Sequence, residues 1–586
     1  MSGALRETSD VLERLRLAVR STPHRIAVHG SDGTWDFALL DEQTRRLAAV
    51  LRARGVGRGA RVGVCLPRGG GLVVAMLAVW RAGAAYVPLD PRHPRRRLAE
   101  VAGRAGLRLL IAEDDAALAP LDVPVLTPGT LEGPAPQDTP VTPDPRDPAY
   151  VVFTSGSTGA PKGVEVTRGG VASLAESLEQ AGVYAAQPRV VAWNAGVAFD
   201  ASVQQWIRVC RGDTLVVLDE ADRLDPGRLS AVLERHRVDD LDLTPSHWEL
   251  LRDVLLTPRP DGRRLRLLMG GEPVPEHTWR ELAGATERGV LEAVNLYGPT
   301  ECTVDATAAW ITGDAPTIGH ELPGVGLYVL DGALRPVPDG SAGEMFLAGP
   351  RLANGYLHRR TLTAQHFLAD PYGPPGTRMY ATGDRARRRA DGALEFLGRR
   401  DRQAKIRGHR VELSEVERVL ERADDVATAH VVPRGEGAAD ARLVAYVTAA
   451  GPVPLCVGGL RRYAAEVLPD YLVPTSFVAL TRMPLTVNGK IDTAALPEPQ
   501  EAAPAAGEDI GTYTAALWQT VLRRELIGPH DDFFALGGQS LAALRVLKNL
   551  KDTLGLPLSI RDIYRYPVLT DLVAHLESLR TARADS

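Results

Sequence analysis

The chain has 586 residues, a length that predicts three to five domains rather than a single core. Hydrophobic residues make up 45% of it, charged residues 24%, and the net charge is −5. This slightly acidic balance gives no electrostatic reason to expect nucleic acid or a membrane as a partner. The N-terminus lacks the apolar stretch of a signal peptide, and no run approaches ~18 apolar residues, so we expect a cytoplasmic protein.

Residues 12–110 alternate helical patterns with short β-branched runs. The segments VLERLRLAVRS and FALLDEQTRRLAAVLRARG have the spacing of amphipathic helices, and RVGVCLP has that of a buried strand. Strands that alternate with helices predict an α/β fold with a parallel, doubly wound sheet. The basic run Arg95–Arg97 lies in this part, and we interpret it, like the run Arg385–Arg389, as solvated surface charge.

A Pro-rich stretch ends before the apolar strand YVVFT, which begins at Tyr150, and the alternation resumes to about residue 310. From about residue 315 to 400, short strands separated by Gly turns are typical of hairpins. Residues 400–498 predict a small α+β unit with one clear helix, SEVERVLERA. A Pro/Ala-rich linker follows, and residues 511–580 are helical throughout, which predicts a small bundle.

The strand YVVFT leads directly into the segment TSGSTGAPKG. Its glycines allow a tight turn that aims backbone N–H groups at an anion, its hydroxyls add donors, and Lys162 adds charge. The segment is not the GxxxxGK[ST] loop of P-loop NTPases, because the lysine lies three residues beyond the last preceding glycine and no Ser or Thr follows it. The candidate phosphate-binding residues are Thr154, Ser155, Gly156, Ser157, Thr158, Gly159 and Lys162.

This segment resembles the signature of the adenylate-forming superfamily, and further motifs occur in the expected order. They are RAGAAYVPLD (81–90), FDASVQQW (199–206), NLYGPTE (295–301), GEMFLAG and NGYL (343–357), YATGD (380–384), GRRDRQAKIRGHRVELSEVE (398–417), LPDYLVP (468–474) and NGKID (488–492). Together they cover about 500 residues and are most similar to the adenylation domains of nonribosomal peptide synthetases.

The resemblance implies a large core at residues 1–398, with two αβ-layered sheets and a small β-barrel-like subdomain. It implies a mobile α+β C-terminal subdomain at 399–499 with its hinge at Asp401. Two arrangements of this subdomain are expected, one for each half-reaction. In the first, Lys490 would lie on the α-phosphate, and in the second, the Gly408 loop would move toward a pantetheine tunnel.

The same resemblance implies roles in binding ATP. Tyr297 would stack on adenine, Asn295 would bond its exocyclic amine, and Asp384 would accept from both ribose hydroxyls with Arg399 nearby. Three further residues complete the predicted ATP site: Gly298, Thr300 and Lys405.

Three residues carry the predicted catalysis in this family. Glu301 would hold Mg²⁺, a hard cation that prefers carboxylate and phosphate oxygens. Lys490 would lie between the substrate carboxylate and the α-phosphate, where charge builds as pyrophosphate leaves. Lys162 of the phosphate loop would be the third.

The segment DFFALGGQSL resembles the attachment site of peptidyl carrier proteins, where 4′-phosphopantetheine is esterified to the serine, here Ser540. It implies a four-helix carrier domain at residues 511–580 after a linker at 500–510, and a phosphopantetheinyl transferase as partner. The alternative is that Ser540 only caps a helix, and the FFxLGG lead-in favours attachment. Gln539 stands where these carriers usually have His or Asp, so the downstream condensation or tailoring enzyme stays open, as does the need for an MbtH-like protein.

Asp200 matches the family residue that pairs with the α-ammonium group of the substrate. A buried carboxylate without a partner is costly, so an aspartate here implies an amino acid. The pocket positions carried over from the family are Asp200, Ala201, Gln204, Asp242, Leu268, Gly270, Leu296, Val304 and Asp305. Together with Lys490, the set resembles the specificity code for L-glutamine, departing mainly at Leu296, where valine is more usual.

A primary amide offers two donors and one acceptor. Asp242 and Asp305, if ionised, can accept from its NH₂ group, and the Gln204 amide can donate to its carbonyl. Glutamate would place a third carboxylate beside two others, whereas two carboxylates would also suit ornithine or lysine. The predicted function is therefore ATP-dependent activation of an amino acid, first of all glutamine, in nonribosomal peptide or related secondary-metabolite biosynthesis. An acyl- or aryl-CoA ligase and a catalytically silent carrier scaffold are the rival functions, and Asp200 and the carrier argue against the first.

Overall fold

The structure of the chain is a computed structural model. It describes residues 10–113, 123–128, 141–156, 160–406, 408–435, 441–451, 455–484, 491–498, 510–522, 527–534, 536, 540–556 and 558–584.

Helices and strands alternate through the first half of the chain, as the sequence predicts. In chain order they are α1 (Val11–Ser21), β1 (Ile26–Gly30), β2 (Gly33–Asp36), α2 (Phe37–Ala53), β3 (Arg61–Cys65), α3 (Gly70–Arg81), β4 (Ala85–Pro88), α4 (Arg95–Ala105), β5 (Leu109–Ala112), β6 (Val125–Leu126), β7 (Pro148–Thr154), β8 (Lys162–Thr167), α5 (Arg168–Gln180), β9 (Val190–Trp193), α6 (Ala201–Trp206), β10 (Thr214–Val217), α7 (Glu220–Leu224), α8 (Pro226–Arg235), β11 (Asp240–Leu243), α9 (Pro245–Leu255), β12 (Leu265–Met269), α10 (Glu276–Glu287), β13 (Leu291–Tyr297) and β14 (Thr307–Trp310). Helix α2 ends two residues before its predicted end, because Gly55 takes a positive φ of 78° and turns the chain.

The following hundred residues are mainly strands. They are β15 (His320–Glu321), β16 (Gly326–Leu330), β17 (Ala342–Ala348), β18 (Gly355–Tyr356), α11 (Arg360–His366), β19 (Phe367–Ala369), β20 (Arg378–Arg388) and β21 (Leu394–Arg399). Strands β16, β17, β19, β20 and β21 form a five-stranded antiparallel sheet, which confirms the predicted hairpins.

The remaining elements form the C-terminal subdomain and the helical region. They are β22 (Gln403–Ile406), β23 (His409–Glu412), α12 (Leu413–Leu420), β24 (Val426–Arg434), β25 (Arg442–Ala449), α13 (Val457–Val467), β26 (Ser476–Leu480), α14 (Ile510–Leu522), α15 (Ser540–Leu554), α16 (Ile560–Arg565) and α17 (Leu569–Ala584). Strands β22 and β23 form an isolated hairpin, and β24–β26 form a three-stranded sheet against which α12 packs. Helices α14–α17 enclose their own apolar core.

Two large sheets make up the core and confirm the predicted α/β fold. One has nine strands in the order β15-β14-β13-β12-β11-β9-β10-β1-β2, and the other has seven in the order β18-β8-β7-β4-β3-β5-β6. Both are parallel in their centres, and the nine-stranded sheet is antiparallel at both edges whereas the seven-stranded sheet is antiparallel at one. The reason is local, because strands joined by short connections, such as β1 to β2 and β7 to β8, pair as hairpins. Among the described residues, no helix combines the length and apolar character that a membrane span requires.

A buried ion network fixes the segment that follows α6. Arg208 is 1% exposed and donates from Nε to Asp213 at 2.7 Å and from Nη1 to Asp240 at 2.5 Å. Asp240 begins strand β11, so this arginine ties α6 to the strand beside it.

We expect Arg208→Ala to lower the free energy of unfolding by about 3 kcal/mol, the lower end of the range for a broken buried ion pair. The change removes the buried cation from Asp213 and Asp240, which keep Arg211 and Arg189 as charged partners. Urea unfolding followed by intrinsic fluorescence measures this loss. Arg228→Ala is the matched control, since its half-exposed pair with Asp222 should contribute at most about 1 kcal/mol. Equal losses in the two variants would contradict the expectation.

Candidate functional site

A cavity of about 560 Å³ opens where the central strands of the nine-stranded sheet end. In open α/β sheets, ligands bind at this carboxyl edge. All nine pocket residues predicted from the sequence line the cavity: Asp200, Ala201, Gln204, Asp242, Leu268, Gly270, Leu296, Val304 and Asp305. The structure thus brings together residues spread over about a hundred positions of the chain.

Local structure explains how these side chains converge. Asp200 is the N-cap of α6 and accepts from the N–H of Ala201 at 2.9 Å, and Gln204 lies one turn later on the same helix face. Strands β11 and β12 are parallel neighbours whose register pairs Asp242 with Leu268. The pocket therefore rests on a short helix and adjacent strand ends rather than on long loops.

The polar end of the cavity differs from its sequence-based prediction in one hydrogen bond. Gln204, expected to donate to a substrate carbonyl, instead donates from Nε2 to Asp242 Oδ1 at 2.6 Å. Within the described part of the chain, Gln204 Oε1 and Asp305 Oδ2 are buried without a hydrogen-bond partner. These two oxygens are thus available to a ligand.

The two aspartates also differ in protonation from the ionised pair assumed from the sequence. Burial raises the pKa of Asp242 to about 7, and burial together with the charge of Asp242 raises the pKa of Asp305 well above its ordinary value. Near neutral pH the cavity end therefore retains at least one carboxyl proton, which can be donated to a ligand.

A strained turn presents Val304 and Asp305. Thr303 and Val304 are β-branched yet take φ values of 52° and 70°, a conformation that costs about 1–3 kcal/mol per residue. The buried Arg351 holds the turn, because it donates from Nη1 to the carbonyl of Asp305 at 2.6 Å and its own carbonyl accepts from the Thr303 hydroxyl at 2.6 Å. Arg351 was not among the predicted residues. The one sequence signal for it was its place in the segment GPRLANGY, shortly before the NGYL motif.

The predicted nucleoside-binding residues form a second cluster. Asp384 accepts from the hydroxyl of Tyr297 and from Arg399, and Lys405 Nζ lies 5.8 Å from the centre of the Tyr297 ring. Asn295 donates from Nδ2 to the carbonyl of Thr317 at 2.8 Å.

Gly298 and Thr300 connect this cluster to the cavity. An added Cβ at Gly298 would lie 2.1 Å from the carbonyl oxygen of Val304, so only glycine fits there. Thr300 is buried and hydrogen-bonds to Asp200, and the pKa of Asp200 is raised by burial despite this bond.

Glu301 is fully buried at the phosphate loop. One carboxylate oxygen accepts from the Tyr356 hydroxyl at 2.7 Å and lies 3.5 Å from Lys162 Nζ, and the other accepts from Arg410 Nη1 at 2.8 Å. Burial alone would raise the pKa of Glu301, but the charges of Arg410 and Lys162 hold it below its ordinary value. Burial, with Arg410, lowers the pKa of Lys162 to about 8. An ionised carboxylate of this kind suits a hard divalent cation. In this structure the Arg410 guanidinium, also a cation, contacts the carboxylate instead.

Parts of the predicted site lie outside the described residues: Ser157, Thr158, Gly159 and Lys490. The described part of the loop includes Thr154, Ser155 and Gly156. Ser540 is the first residue of α15, a helix that contacts α9 of the core, and the structure describes its backbone but not its side chain.

The C-terminal subdomain closes over the cavity. Gly408 and His409 line it, and the His409 ring stacks on Tyr471 with ring centres 4.0 Å apart and meets the edge of Phe199 at 4.3 Å. The predicted hinge residue Asp401 accepts from Arg399 Nε at 2.7 Å. Gly408 and His409 thus lie beside the cavity in this arrangement of the subdomain.

The interpretation of Arg95–Arg97 as solvated charge was wrong for Arg97. Arg95 and Arg96 are exposed, but Arg97 is 5% exposed and donates from Nη1 to Glu415 Oε1 at 2.7 Å. The sequence analysis also assigned no role to Glu415 or Arg410. Both belong to the quoted motif GHRVELSEVE. The available signal was that a basic and an acidic residue occur within this one motif.

Family models match three parts of the chain. Residues 15–357 match "AMP-binding enzyme", residues 415–490 match "AMP-binding enzyme C-terminal domain", and residues 513–576 match "Phosphopantetheine attachment site".

Curated relatives are multidomain synthetases. A dimodular nonribosomal peptide synthase of Bacillus subtilis is 38% identical over 581 residues, which is 96% of this chain and 24% of that protein. Phosphinothricin tripeptide synthetase PhsC of Streptomyces viridochromogenes is 38% identical over 586 residues, which is 96% of this chain and 52% of that protein. The chain therefore spans a quarter to a half of these relatives.

Solved structures with both domain types are similar over most of their length. Holo-PA1221, an NRPS protein containing adenylation and PCP domains, aligns with a TM-score of 0.79 at 27% identity over 99% of both chains. NpsA-ThdA, an artificially fused adenylation-PCP di-domain from Klebsiella oxytoca, aligns with a TM-score of 0.73 at 26% identity over 81% of this chain and 94% of that one.

We expect Gly408→Ala to move the C-terminal subdomain away from the cavity. Gly408 has a φ of 77°, which costs a non-glycine residue about 1–2 kcal/mol, and its Cβ would lie 2.7 Å from Thr244 Cγ2. Energy transfer between a dye on the exposed Cys456 and a dye at Asp314→Cys in the core measures the movement.

Gly340→Ala is the matched control. Gly340 has a φ of 84° and open space around its Cβ position, so it has the same backbone cost without a contact to the subdomain. The same transfer efficiency in both variants would show that Gly408 does not control the arrangement.

Proposed function

The chain belongs to the family of AMP-binding enzymes and carries a phosphopantetheine attachment domain, and on this premise we propose that it activates an amino acid and loads it onto its own carrier. In the first half-reaction, a carboxylate oxygen of the amino acid attacks the α-phosphorus of ATP and pyrophosphate leaves. In the second, the carrier thiol attacks the acyl carbon and AMP leaves. The observation that carries the proposal is that Asp200, which lines the cavity, is hydrogen-bonded to Thr300, the chain neighbour of the buried Glu301. The proposed ammonium site therefore adjoins the proposed phosphate and cation site.

ATP and covalent phosphopantetheine are the cofactors of the two matched families, and Mg²⁺ is typical of AMP-binding enzymes. Tyr297 and Asp384 would bind the nucleoside, and Glu301 would hold the cation, which supplies charge neutralisation at the leaving phosphates. Lys490 would stabilise the charge that develops on the α-phosphate, with Lys162 at the departing phosphates. Ser540 would carry the pantetheine, attached by a phosphopantetheinyl transferase, and present its cargo to a condensation or tailoring enzyme.

We propose L-glutamine as the substrate. Its NH₂ group can donate to Gln204 Oε1 and to Asp242, while its carbonyl can accept the proton that Asp305 retains. This scheme satisfies both side-chain oxygens of the described cavity lining that are buried without a partner, Gln204 Oε1 and Asp305 Oδ2. Glutamate would add a third acid to the pair, and like-charge crowding in a buried site disfavours it.

Ornithine and lysine are the main alternatives, because an ammonium group could also use three acceptors. An ammonium would require both aspartates to be ionised, against the burial that holds their pKa values high. A carboxylic acid without an amine, as in an acyl-CoA ligase, would leave Asp200 unpaired.

Pyrophosphate exchange with a panel of Gln, Glu, Asn, Orn and Lys tests the proposal. We expect glutamine to exceed the others by at least tenfold and up to ~10⁴-fold, since unpaired buried groups penalise the wrong side chain. Lys490→Ala should lower exchange by about 10²–10³-fold, as for loss of a charge-stabilising group. Exchange with none of the panel, or exchange with free aryl acids followed by transfer to CoA, would reject the assignment.

The pH dependence of binding distinguishes glutamine, a neutral amide, from ornithine and lysine, whose side chains are cations. As pH rises through the pKa of Asp242, about 7, the cavity gains a negative charge that attracts an ammonium group but does little for a neutral amide. The inhibition constant of ornithine, divided by the KM of glutamine, should therefore fall between pH 6 and 8 by at most about tenfold per pH unit. Asp242→Asn should flatten the ratio. A ratio that rises with pH would contradict the charge assignment, and inhibition at no pH would remove the basic alternatives.

A further inference from the structure

A second glutamine of α6, Gln205, also lines the cavity and was not among the predicted pocket residues. Its side chain is 1% exposed. Its Oε1 accepts from the backbone N–H of Asn194 at 2.8 Å and from that of Ala195 at 2.9 Å. Its Nε2 donates to the carbonyl of Ala201 at 3.1 Å. The side chain thus joins the end of β9 to the first turn of α6.

These contacts fix which end of the Gln205 amide faces Asp242. Two backbone N–H groups point at Oε1, and in the flipped orientation they would meet the NH₂ group, which only donates. The Asp242 carboxyl is hydrogen-bonded to the Gln205 side chain, and the group that faces it is therefore the NH₂ donor. Gln204 donates to the same carboxyl at 2.6 Å. Asp242 thus receives two amide donors.

The neighbouring Asp305 has a different environment. Its Oδ2 is buried without a hydrogen-bond partner among the described residues, and the charge of Asp242 disfavours its ionisation. Hydrogen bonds to the charged form of a carboxyl favour that form, whereas burial without donors favours the neutral form. A single proton shared by the two acids therefore belongs on Asp305, and Asp242 is left as an acceptor.

We infer that Gln205 is a positioning residue for substrate selectivity, which holds Asp242 as a hydrogen-bond acceptor and so leaves Asp305 as the donor. The inference rests on the proposed function and deepens it. A side chain that carries a donor and an acceptor on one carbon, as a primary amide does, matches this division. A carboxylate lacks the donor for Asp242, and an ammonium group lacks the acceptor for Asp305.

Other ionisable groups lie around Asp242, namely Asp240 on the same strand, Arg208 after α6, Tyr184 after α5 and His247 on α9. Asp240 and Arg208 form an ion pair. Burial raises the pKa of Tyr184 well above its ordinary value and lowers the pKa of His247 to about 4, so neither titrates between pH 6 and 8.

Asp200 is a further buried acid near this pair, and its charge acts on Asp305. In the proposed function it binds the α-ammonium group of every amino acid. Its contribution therefore cancels when two amino acids are compared as a ratio. The pH dependence of such a ratio reports the pair of Asp242 and Asp305.

The test compares Gln205→Glu with the unaltered holo-protein. The substitution keeps an oxygen that accepts from the two backbone N–H groups, but it replaces the donor toward Asp242 by a second carboxylate oxygen. Two adjacent carboxyls share a proton, so Asp242 becomes a donor near neutral pH. The KM for glutamine in pyrophosphate exchange should rise about tenfold, because the NH₂ group of glutamine loses an acceptor. The kcat should change by less than about twofold, since the lost contact acts on binding.

The pH profile distinguishes this effect from a structural defect. The measured quantity is the inhibition constant of ornithine divided by the KM of glutamine. In Gln205→Glu the site carries the added charge already at pH 6, so the ratio should be low and nearly constant between pH 6 and 8. Gln205→Met removes the donor without adding a charge, so the midpoint of the ratio should move upward from about pH 7 by about one pH unit. This second variant keeps the test decisive if Gln205→Glu does not fold.

Gln43→Glu is the matched control. Gln43 Oε1 also accepts from an N–H group, that of Trp35 at 2.8 Å, and the residue lies on α2, outside the cavity lining. This variant should behave as the unaltered chain in KM, kcat and pH profile.

An unchanged KM and pH profile in Gln205→Glu would overturn the inference. A fall of kcat in both Gln205 variants with the pH profile of the unaltered chain would also overturn it, since that result shows a purely structural role. Failure of the proposed substrate has a different signature, namely no exchange with glutamine by the unaltered chain. That result would remove the inference as well, and it is seen before any variant is measured.

Discussion

A buried carboxylate stays ionised only beside a positive partner, and Glu301 imposes this condition on the phosphate-binding region. It is fully buried between the phosphate loop and the five-stranded sheet, so its charge cannot be stabilised by water. In the arrangement described here, Lys162 and Arg410 supply the positive charge. A residue of the C-terminal subdomain thus completes the electrostatics of the core, and its position is coupled to what else is bound at Glu301.

The substrate cavity also contains buried carboxyl groups, but there burial raises their pKa values and favours the protonated form. Burial raises the pKa values of Asp242 and Asp305 more than the charges of Arg208 and Arg351 lower them. The cavity end is therefore a mixed donor and acceptor surface rather than a purely anionic one. A side chain that has both donors and an acceptor fits such a surface better than one that has only donors.

Much of this site could be predicted from the sequence, and the parts that could not share a cause. The resemblance to adenylation domains implied that Asp200, Gln204, Asp242 and Leu268 share one pocket. The structure has all four at the cavity, the first pair one helical turn apart and the second pair on neighbouring strands. Arg97 and Glu415 are 318 positions apart, and Arg410 and Glu301 are 109 apart. Their pairing depends on how one subdomain sits on another, which no local pattern contains. Protonation of Asp242 likewise depends on burial and not on residue type, and the hydrogen bond from Gln204 to Asp242 follows from their proximity.

The turn held by Arg351 limits how the specificity of this chain could be exchanged with that of a relative. A graft of the region from Asp200 to Asp305 would include all nine predicted pocket residues. Arg351 lies 46 positions beyond Asp305 and would be left behind. In a relative, a different residue could hold this turn. A segment grafted from that relative would lose its own supporting residue and would contact Arg351 instead. The strained backbone of the turn would then relax. The segment that must be exchanged together is thus longer than the pocket, and it extends through strands β14–β17 to Arg351, which precedes the NGYL segment.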